Sequence, residues 1–384
     1  MSIESKNLIS QLDTIVSLPS VSSAITELDT SNREVIEFLA NSFESLGFSC
    51  EIVPCNSNIN KVNLIATLGS GPGGLVLAGH TDTVPFDDKL WTYNPFKVTE
   101  SDGKIYGLGV TDMKGFFPIV LESIKPLLSE KFKEPLIVLA TADEETSMQG
   151  ARTIAELGRP RARAAIIGEP TGLKPVKAHK GMMMDSIHLK GKSGHSSDPT
   201  LGNNALDGMH KVITELMLYR SELKEKYSSD LFSVPYPTLN LGCIHGGDNP
   251  NRICGECELK FDIRLTPGMN INSVRAEIRK RLTKITEPLN LTYEMSEIFT
   301  GIPAFFVREN SDLLTTAESL TGHNGITVGF GTEGPFLRDL GMDTIILGPG
   351  NIDQAHKPDE YMSTDMVNPT IEFLRKVISL YCLN

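Results

Sequence analysis

Residues 75–85 read LVLAGHTDTVP and combine a short apolar run with polar residues directly after it. The apolar run is typical of a buried strand. His80 and Asp82 then follow at its carboxyl end, the edge at which open α/β sheets carry their ligand sites. Because they are two residues apart in an extended chain, their side chains point to the same face. They suit a metal-bound imidazole and a carboxylate that orients it, although a polar loop after a strand also explains them.

The composition indicates a folded protein of two domains. A length of 384 residues is too great for one compact core. The net charge of −12 argues against nucleic acid or an anionic membrane surface as a partner. No apolar run is long enough for a membrane span, and the first residues do not resemble a signal peptide. Six scattered cysteines predict reduced thiols and a cytoplasmic location.

Further apolar runs also end in residues that can bind metals. The runs and the residues after them are 136–140 with Glu144 and Glu145, 164–167 with Glu169, and 344–347 with His356. Adjacent carboxylates such as residues 143–145 repel one another unless a cation is present, but a solvated acidic loop remains the alternative. A lone histidine in a loop is more often structural. Asp112 precedes a predicted helix, where an acidic residue is most often an N-cap.

Two imidazoles and three carboxylates from these positions form a mixed nitrogen and oxygen donor set that suits zinc, manganese or cobalt. The set consists of His80, Asp112, Glu145, Glu169 and His356. Five ligands are too many for one catalytic zinc with an open position. They fit two ions, roughly 3.5–4 Å apart, if one carboxylate bridges them. A spare acid beside the set, Glu144, is then a candidate general base.

A segment with a different order of predicted strands and helices lies inside the chain. Residues 182–296 predict the order strand, helix, strand, strand, helix, strand, which is the ferredoxin-like pattern. We therefore predict an α/β protein whose catalytic domain, about 1–180 and 292–384, has a mostly parallel central sheet. An inserted α+β domain, about 181–291, is predicted to be a lid and to mediate dimerisation.

Six motifs that span nearly the whole chain resemble those of the acetylornithine deacetylases, in the co-catalytic zinc metallopeptidase family that also holds succinyl-diaminopimelate desuccinylase and aminoacylase. They are GHTDTVP, YGLGVTDMKG, TADEET, IIGEPT, SGHSSDP and GPGNIDQAHKPDE. The resemblance implies a zinc-peptidase-like fold and two zinc ions, which cobalt can replace. It implies that Asp112 bridges the ions. His80 and Glu169 complete one site, and Glu145 and His356 complete the other.

The resemblance also implies roles outside the ligand set. Asp82 orients His80, Glu144 is the general base, and the Asp112–Met113 peptide bond is cis. His195, in the SGHSSDP motif, reaches the active site of a partner subunit and donates to the oxyanion. Without the resemblance, a loop histidine that caps a helix or turn is the simpler reading of His195.

Substrate-binding residues are also implied. Asn251 and Arg264 match family positions that hold the substrate or its carboxylate. Arg264 shares a strand face with Asp262, so a plain ion pair is the alternative. Glu333 lies in GFGTEGPF, which matches the family's glycine loop. A carboxylate there favours the ammonium of ornithine, while a solvated loop acid is the competing interpretation.

The function that the resemblance implies is metal-dependent hydrolysis of N2-acetyl-L-ornithine to L-ornithine and acetate, in arginine synthesis. The substrate is thus a small N-acyl amino acid, and the enzyme a homodimer joined through the lid. A related N-acyl-amino-acid deacylase, or succinyl-diaminopimelate desuccinylase, is the nearest alternative. A non-catalytic metal-binding relative is a third, but it would need ligands and no base, so Glu144 speaks against it.

Overall fold

The computed structural model describes residues 3–56 and 58–383. The chain divides into two compact units. The first contains Met1–Lys177, Val307–Ile326 and Thr332–Asn384, and the second contains Ala178–Phe306 and Thr327–Gly331. Among the helices that the structure describes, none is long and apolar enough to span a membrane.

Helices and strands are numbered in chain order. The helices are α1 (Ile3–Ser17), α2 (Arg33–Glu44), α3 (Phe116–Ile124), α4 (Gln149–Leu157), α5 (Ala205–Lys226), α6 (Ile271–Thr286), α7 (Asp312–Thr321), α8 (Gly334–Asp339) and α9 (Val367–Ile378). The strands are β1 (Ser49–Pro54), β2 (Val62–Leu68), β3 (Leu75–His80), β4 (Thr99–Ser101), β5 (Lys104–Tyr106), β6 (Leu136–Thr141), β7 (Ala164–Ile167), β8 (Val176–His179), β9 (Gly181–Lys190), β10 (Thr238–Gly246), β11 (Glu256–Leu265), β12 (Thr292–Ile302), β13 (Phe305–Phe306), β14 (Ile326–Val328), β15 (Asp343–Ile346) and β16 (Tyr361–Ser363).

The first unit is built on a sheet in which β1, β2, β6, β3, β7, β15 and β8 are neighbours in that order. The four strands β6, β3, β7 and β15 run parallel to one another, and β1 and β2 are antiparallel additions. Every residue of these four strands is buried. Strands covered on both faces need continuous apolar runs, which is why the sequence shows runs rather than alternation. The predicted α/β fold with a mostly parallel central sheet is confirmed.

The strand order brings the predicted polar loops to one edge. His80 ends β3 and pairs with Thr141, which ends β6. On the other side of β3 lies β7, and Glu169 follows two residues after it. Because the three strands are parallel neighbours, their carboxyl ends adjoin. The loops after them therefore start side by side.

The second unit has a four-stranded sheet in the order β10, β11, β9, β12, with antiparallel pairing throughout. With α5 between β9 and β10 and α6 between β11 and β12, this is the ferredoxin-like arrangement. Since β12 pairs with β9, this unit extends to Phe306. The predicted boundary after residue 291 lies just before that strand.

Candidate metal centre

His80 is the first histidine of the centre, and it is fully buried at the end of β3. Its Nδ1 lies 2.9 Å from the carbonyl oxygen of Asp82, so Nδ1–H donates to this oxygen and Nε2 is the nitrogen that faces the centre. That Nε2 lies 3.1 Å from Oδ1 of Asp112 and 4.0 Å from Oε1 of Glu169. The Asp82 carboxylate is 3.7 Å from Nδ1, so Asp82 contacts the imidazole through its carbonyl group instead.

The carboxylate of Asp82 is engaged with the loop after β6. Its Oδ1 accepts the backbone N–H of Glu144 at 3.2 Å, and its Oδ2 accepts that of Glu145 at 3.1 Å. Asp82 is completely buried, so these bonds are sheltered from water. They fix the part of the chain from which both glutamate side chains start.

The first acid of the Asp-Glu-Glu run has a structural role. Asp143 accepts hydrogen bonds from Ser22 and from two hydroxyl groups in its own loop, and it lies 3.8 Å from the buried ammonium of Lys61. Its backbone has a positive φ of 63°, a conformation that few non-glycine residues adopt. Asp143 thereby closes the turn, which leaves Glu144 and Glu145 for the centre.

Asp112 lies between two imidazoles. Its Oδ1 is 3.1 Å from Nε2 of His80, and its Oδ2 is 3.5 Å from Nε2 of His356. The Asp112–Met113 peptide bond is cis, as the resemblance implies. The N-cap of α3 is Gly115, so the alternative interpretation of Asp112 as an N-cap is wrong. One carboxylate that offers an oxygen to each of two imidazoles has the arrangement of a bridging ligand.

His356 and Glu145 form the other side of the centre. Nε2 of His356 lies 3.0 Å from Oε2 of Glu145, and about half of the imidazole is exposed. His356 has a positive φ of 59°, a strained conformation that is found most often at functional sites. The distances thus divide the candidate ligands into two sets that share Asp112. His80 and Glu169 lie on one side, and Glu145 and His356 on the other.

The environment of the carboxylates in the centre disfavours their negative charge. Burial, together with neighbouring carboxylates, raises the pKa of Glu144 and Glu169 well above the usual range, and it raises the pKa of Glu145. Burial also acts on Asp112, but hydrogen bonds with the two histidines outweigh it and lower the pKa of this carboxyl group. Buried acids that repel one another at a shared point are a setting that a cation stabilises.

The pKa values of the two histidines are raised, so their environment favours the charged imidazole. Burial disfavours the charge of His80, but its hydrogen bond with Asp112 and the nearby carboxylates hold its pKa well above the usual range. Hydrogen bonds with Asp112 and Glu145 raise the pKa of His356 to about 10. Two imidazoles and three carboxylates are donors that suit zinc and similar divalent ions, so the residues fit the predicted cofactor.

Glu333 lies near the same centre, at the start of α8. Its side chain is buried, and Oε1 has no hydrogen-bond partner among the described residues. Burial raises the pKa of Glu333 to about 7, although a hydrogen bond with Thr141 and the charge of His80 oppose this effect. The charge of Glu333 in turn contributes to the raised pKa of Glu144. A solvated loop acid, the competing interpretation of Glu333, is therefore wrong.

The second unit holds the other candidate residues. His195 is exposed, and the N–H of the next residue, Ser196, donates to the carbonyl oxygen of Asn251 at 3.1 Å. The segments around His195 and Asn251 therefore lie together within this unit. Nε of Arg264 lies 3.2 Å from Oδ1 of Asp262, which is the ion pair that the sequence leaves open. This contact uses one of the guanidinium nitrogens of Arg264.

Two structural residues were missed by the sequence interpretation. Lys61 is buried and pairs with Asp29 at 2.7 Å as well as with Asp143, and no motif marks it. Glu360 binds the backbone around Asp112, and its only signal is that it closes the last of the six motifs.

Residues 76–380 match the sequence profile of peptidase family M20/M25/M40. The chain belongs to this family. It is thus a metal-dependent peptidase or amidohydrolase, and His80, Asp112 and Glu145 form a candidate metal site whose ligand atoms lie within 4.8 Å of one another. A small peptide or amide substrate agrees with membership of the M20 family. The family prediction is confirmed at this level, and the acetylornithine substrate stays a prediction.

Solved structures share the M20 fold over nearly the whole chain. An M20 family metallo-carboxypeptidase from Sulfolobus solfataricus is 22% identical with a TM-score of 0.74, and 99% of each chain is covered. A tripeptidase from Staphylococcus aureus is 21% identical with a TM-score of 0.73, and 98% of each chain is covered. A dinuclear metal binding peptidase from Bacillus subtilis is 14% identical with a TM-score of 0.66, again with 98% of each chain covered. At these identities the likeness shows the fold.

Proposed function

We propose that this protein hydrolyses N2-acetyl-L-ornithine to L-ornithine and acetate, in arginine synthesis, with two divalent metal ions. Zinc is the proposed metal, and cobalt is able to replace it. The observation that carries the proposal is the position of Asp112 between His80 and His356, at 3.1 and 3.5 Å, next to further buried carboxylates. This arrangement provides shared ligands for two ions at the carboxyl edge of a parallel sheet.

The proposed metal ligands fall into the two sets that the distances define. Asp112 would bridge the ions, with His80 and Glu169 at one site and Glu145 and His356 at the other. When bound, the ions would polarise the acyl carbonyl and lower the pKa of a water molecule.

Glu144 is the proposed general base. It lies half-buried beside the ligands without being needed as one, and desolvation raises its pKa, so it readily holds a proton. It would take the proton from the attacking water and then deliver it to the departing amine. The second transfer is required because an amine anion is a very poor leaving group. The Asp82 carboxylate supports this role because it holds the Glu144 backbone in place.

Glu333 supports ornithine as the amino acid. In the part of the chain that the structure describes, its buried Oε1 has no hydrogen-bond partner, and leaving a buried acceptor unpaired costs about 1–3 kcal/mol. The side-chain ammonium of ornithine would supply a partner and a favourable charge. A succinylated or acidic side chain would instead place a second carboxylate next to that of Glu333. Glu333 therefore favours a basic substrate over the nearest alternatives.

The second unit supplies the remaining proposed roles. We propose that the lid, about 181–291, joins two subunits and that His195 donates to the oxyanion in the active site of the partner. Its side chain is exposed, and because Nδ1 accepts the backbone N–H of Ser197 at 3.2 Å, Nε2 is the nitrogen that would be contributed in this way. Asn251, whose segment lies beside that of His195, and Arg264 are proposed to hold the substrate carboxylate. Arg264 contacts Asp262 through Nε, so its terminal nitrogens remain for that purpose.

A substrate panel tests the proposal. Zinc-loaded protein is assayed with N-acetyl-ornithine, N-acetyl-methionine, N-succinyl-diaminopimelate and a dipeptide, each with and without a chelator. We expect the highest kcat/KM with N-acetyl-ornithine and loss of turnover with the chelator. Faster cleavage of the dipeptide or of either other acyl compound would refute acetylornithine as the substrate. Full activity after verified metal removal would refute the metal-dependent mechanism.

A further inference from the structure

Glu360 is a buried carboxylate that binds the main chain around Asp112. Its Oε1 accepts the backbone N–H groups of Thr111 at 2.8 Å and of Asp112 at 3.0 Å. Its Oε2 accepts the N–H of Gly109 at 3.0 Å. The residue is 2% exposed, so water does not compete for these bonds. Hydrogen bonds to a charged acceptor are roughly twice as strong as neutral ones.

The segment that Glu360 binds has no regular structure of its own. Residues 109–112 lie between β5 and α3, and buried N–H groups outside helices and strands need other partners. The chain turns at Gly109, whose φ of 81° is a conformation that glycine adopts without strain. The turn directs three N–H groups toward one point. Glu360 therefore determines where the Asp112 backbone, and so its carboxylate, lies.

The same loop carries a proposed metal ligand. Glu360 follows His356 by four positions, and His356 faces Asp112 across 3.5 Å. One loop thus supplies an imidazole and also holds the carboxylate that this imidazole faces. A shift of the loop would move His356 and the Asp112 carboxylate together.

We propose that Glu360 is a positioning residue that sets the Asp112 carboxylate at the distance from both metal ions that bridging requires. This inference rests on the proposed two-metal function. Glutamine has nearly the same shape, but it would replace one acceptor oxygen with an NH2 group that faces a backbone N–H. Glu360→Gln therefore turns its NH2 group toward either the N–H of Gly109 or those of Thr111 and Asp112, and it weakens the hold on this segment with little change in volume.

A neighbour provides a matched control. Asp359 lies in the same loop and also accepts two backbone N–H groups, those of Thr92 and Tyr93 at 2.8 and 3.1 Å. Its φ of 54° is tolerated by asparagine. Asp359→Asn therefore makes the same carboxylate-to-amide change in this loop without touching the backbone of Asp112.

The experiment loads the full-length wild type, Glu360→Gln and Asp359→Asn with Mn²⁺. Binding stoichiometry and affinity are measured, and electron paramagnetic resonance reports whether the two ions are spin-coupled through a bridge. We expect the wild type and Asp359→Asn to bind two coupled ions. In Glu360→Gln we expect the second ion to bind about 10–100-fold more weakly, because residues behind the ligands typically contribute this much. The coupled signal should weaken in parallel, and kcat should fall with KM little changed.

Each other outcome is decisive. Wild-type affinity and coupling in Glu360→Gln would overturn the positioning role, and so would equal losses in both variants, since loop stiffness alone would then explain them. If Glu360→Gln does not fold, Glu360→Asp replaces it, and wild-type coupling with this shortened side chain would overturn the role. A wild type that binds a single ion, or two uncoupled ions, would instead refute the bridged two-metal site and this inference with it.

Discussion

Oδ1 of Asp82 accepts the backbone N–H of Glu144 at 3.2 Å, so the proposed base is held through its main chain by a completely buried carboxylate. The other oxygen of Asp82 holds Glu145 in the same way, and the Asp82 carbonyl group holds His80. One residue thus connects the loops after β3 and β6. Its carboxylate binds the backbone of Glu144, the proposed base, and of Glu145, a proposed metal ligand. Its carbonyl oxygen binds His80, another proposed ligand.

Asp82→Asn should therefore impair the loop that carries the base. Asparagine has one acceptor oxygen, and its NH2 group would face a backbone N–H. We expect kcat to fall about 10–100-fold, as is typical when residues behind metal ligands change. Metal analysis and steady-state kinetics check this, with the exposed Asp88→Asn as a control. Wild-type kcat in Asp82→Asn at full metal content would contradict the role of its carboxylate.

Glu144→Ala should separate chemistry from metal binding. Because Glu144 is not a proposed ligand, we expect both ions to remain bound. Loss of a general base should lower turnover by about 10²–10⁴-fold. Metal content and kcat are measured on the same preparation, and the exposed Glu309→Ala is the control. A fully loaded variant with kcat near that of the wild type would show that Glu144 is not the base.

Glu333→Gln should alter substrate preference. Glutamine preserves the shape but loses the charge that would pair with the ornithine ammonium. Hydrogen bonds to charged groups contribute about 1.5–3 kcal/mol, so kcat/KM for N-acetyl-ornithine should fall by about 10–100-fold. The value for N-acetyl-methionine should change little. Equal losses with both substrates would mean that Glu333 supports the metal centre rather than the substrate side chain.

Metal binding should release protons and strengthen as the pH rises. The pKa of His356, raised to about 10, means that its imidazole carries a proton at pH 7 in the metal-free protein, and the pKa of His80 is shifted in the same direction. A metal ion binds neutral imidazole, so these protons must leave. Calorimetric titration of metal-free protein with Zn²⁺, in buffers with different ionisation enthalpies, measures the number released. Binding without net proton release at pH 7 would contradict the proposed imidazole ligands.

The sequence predicts the sheet and the polar edge for a simple physical reason. Strands buried on both faces need apolar runs, and parallel neighbours place the residues after those runs at one edge. The loops of His80, Glu145 and Glu169 follow from this rule. The structure starts β15 at Asp343, one residue before the predicted strand, since ends of elements are weakly encoded.

Contacts with the main chain are what the sequence does not reveal. Glu360 and the Asp82 carboxylate act on backbone N–H groups, and such groups are present at nearly every residue, so no side-chain pattern marks the partner. The N-cap position also depends on geometry. The helix that Asp112 precedes begins after Gly115, because residues 113–115 form a turn in which the N–H of Gly115 donates to the carbonyl oxygen of Gly109 at 3.0 Å.

The proposed action of His195 across a dimer interface can be tested by complementation. Removing one oxyanion donor typically lowers kcat about 10²–10³-fold, so His195→Ala should be nearly inactive with its metal content intact. A mixed dimer of a Glu144→Ala chain and a His195→Ala chain has one active site with both defects and one with neither. Mixing the two inactive proteins under conditions of verified subunit exchange should therefore restore up to half of the wild-type activity per mixed dimer. If exchange is complete and no activity returns, His195 does not act on the partner. A protein that remains monomeric at assay concentrations would exclude action in trans outright.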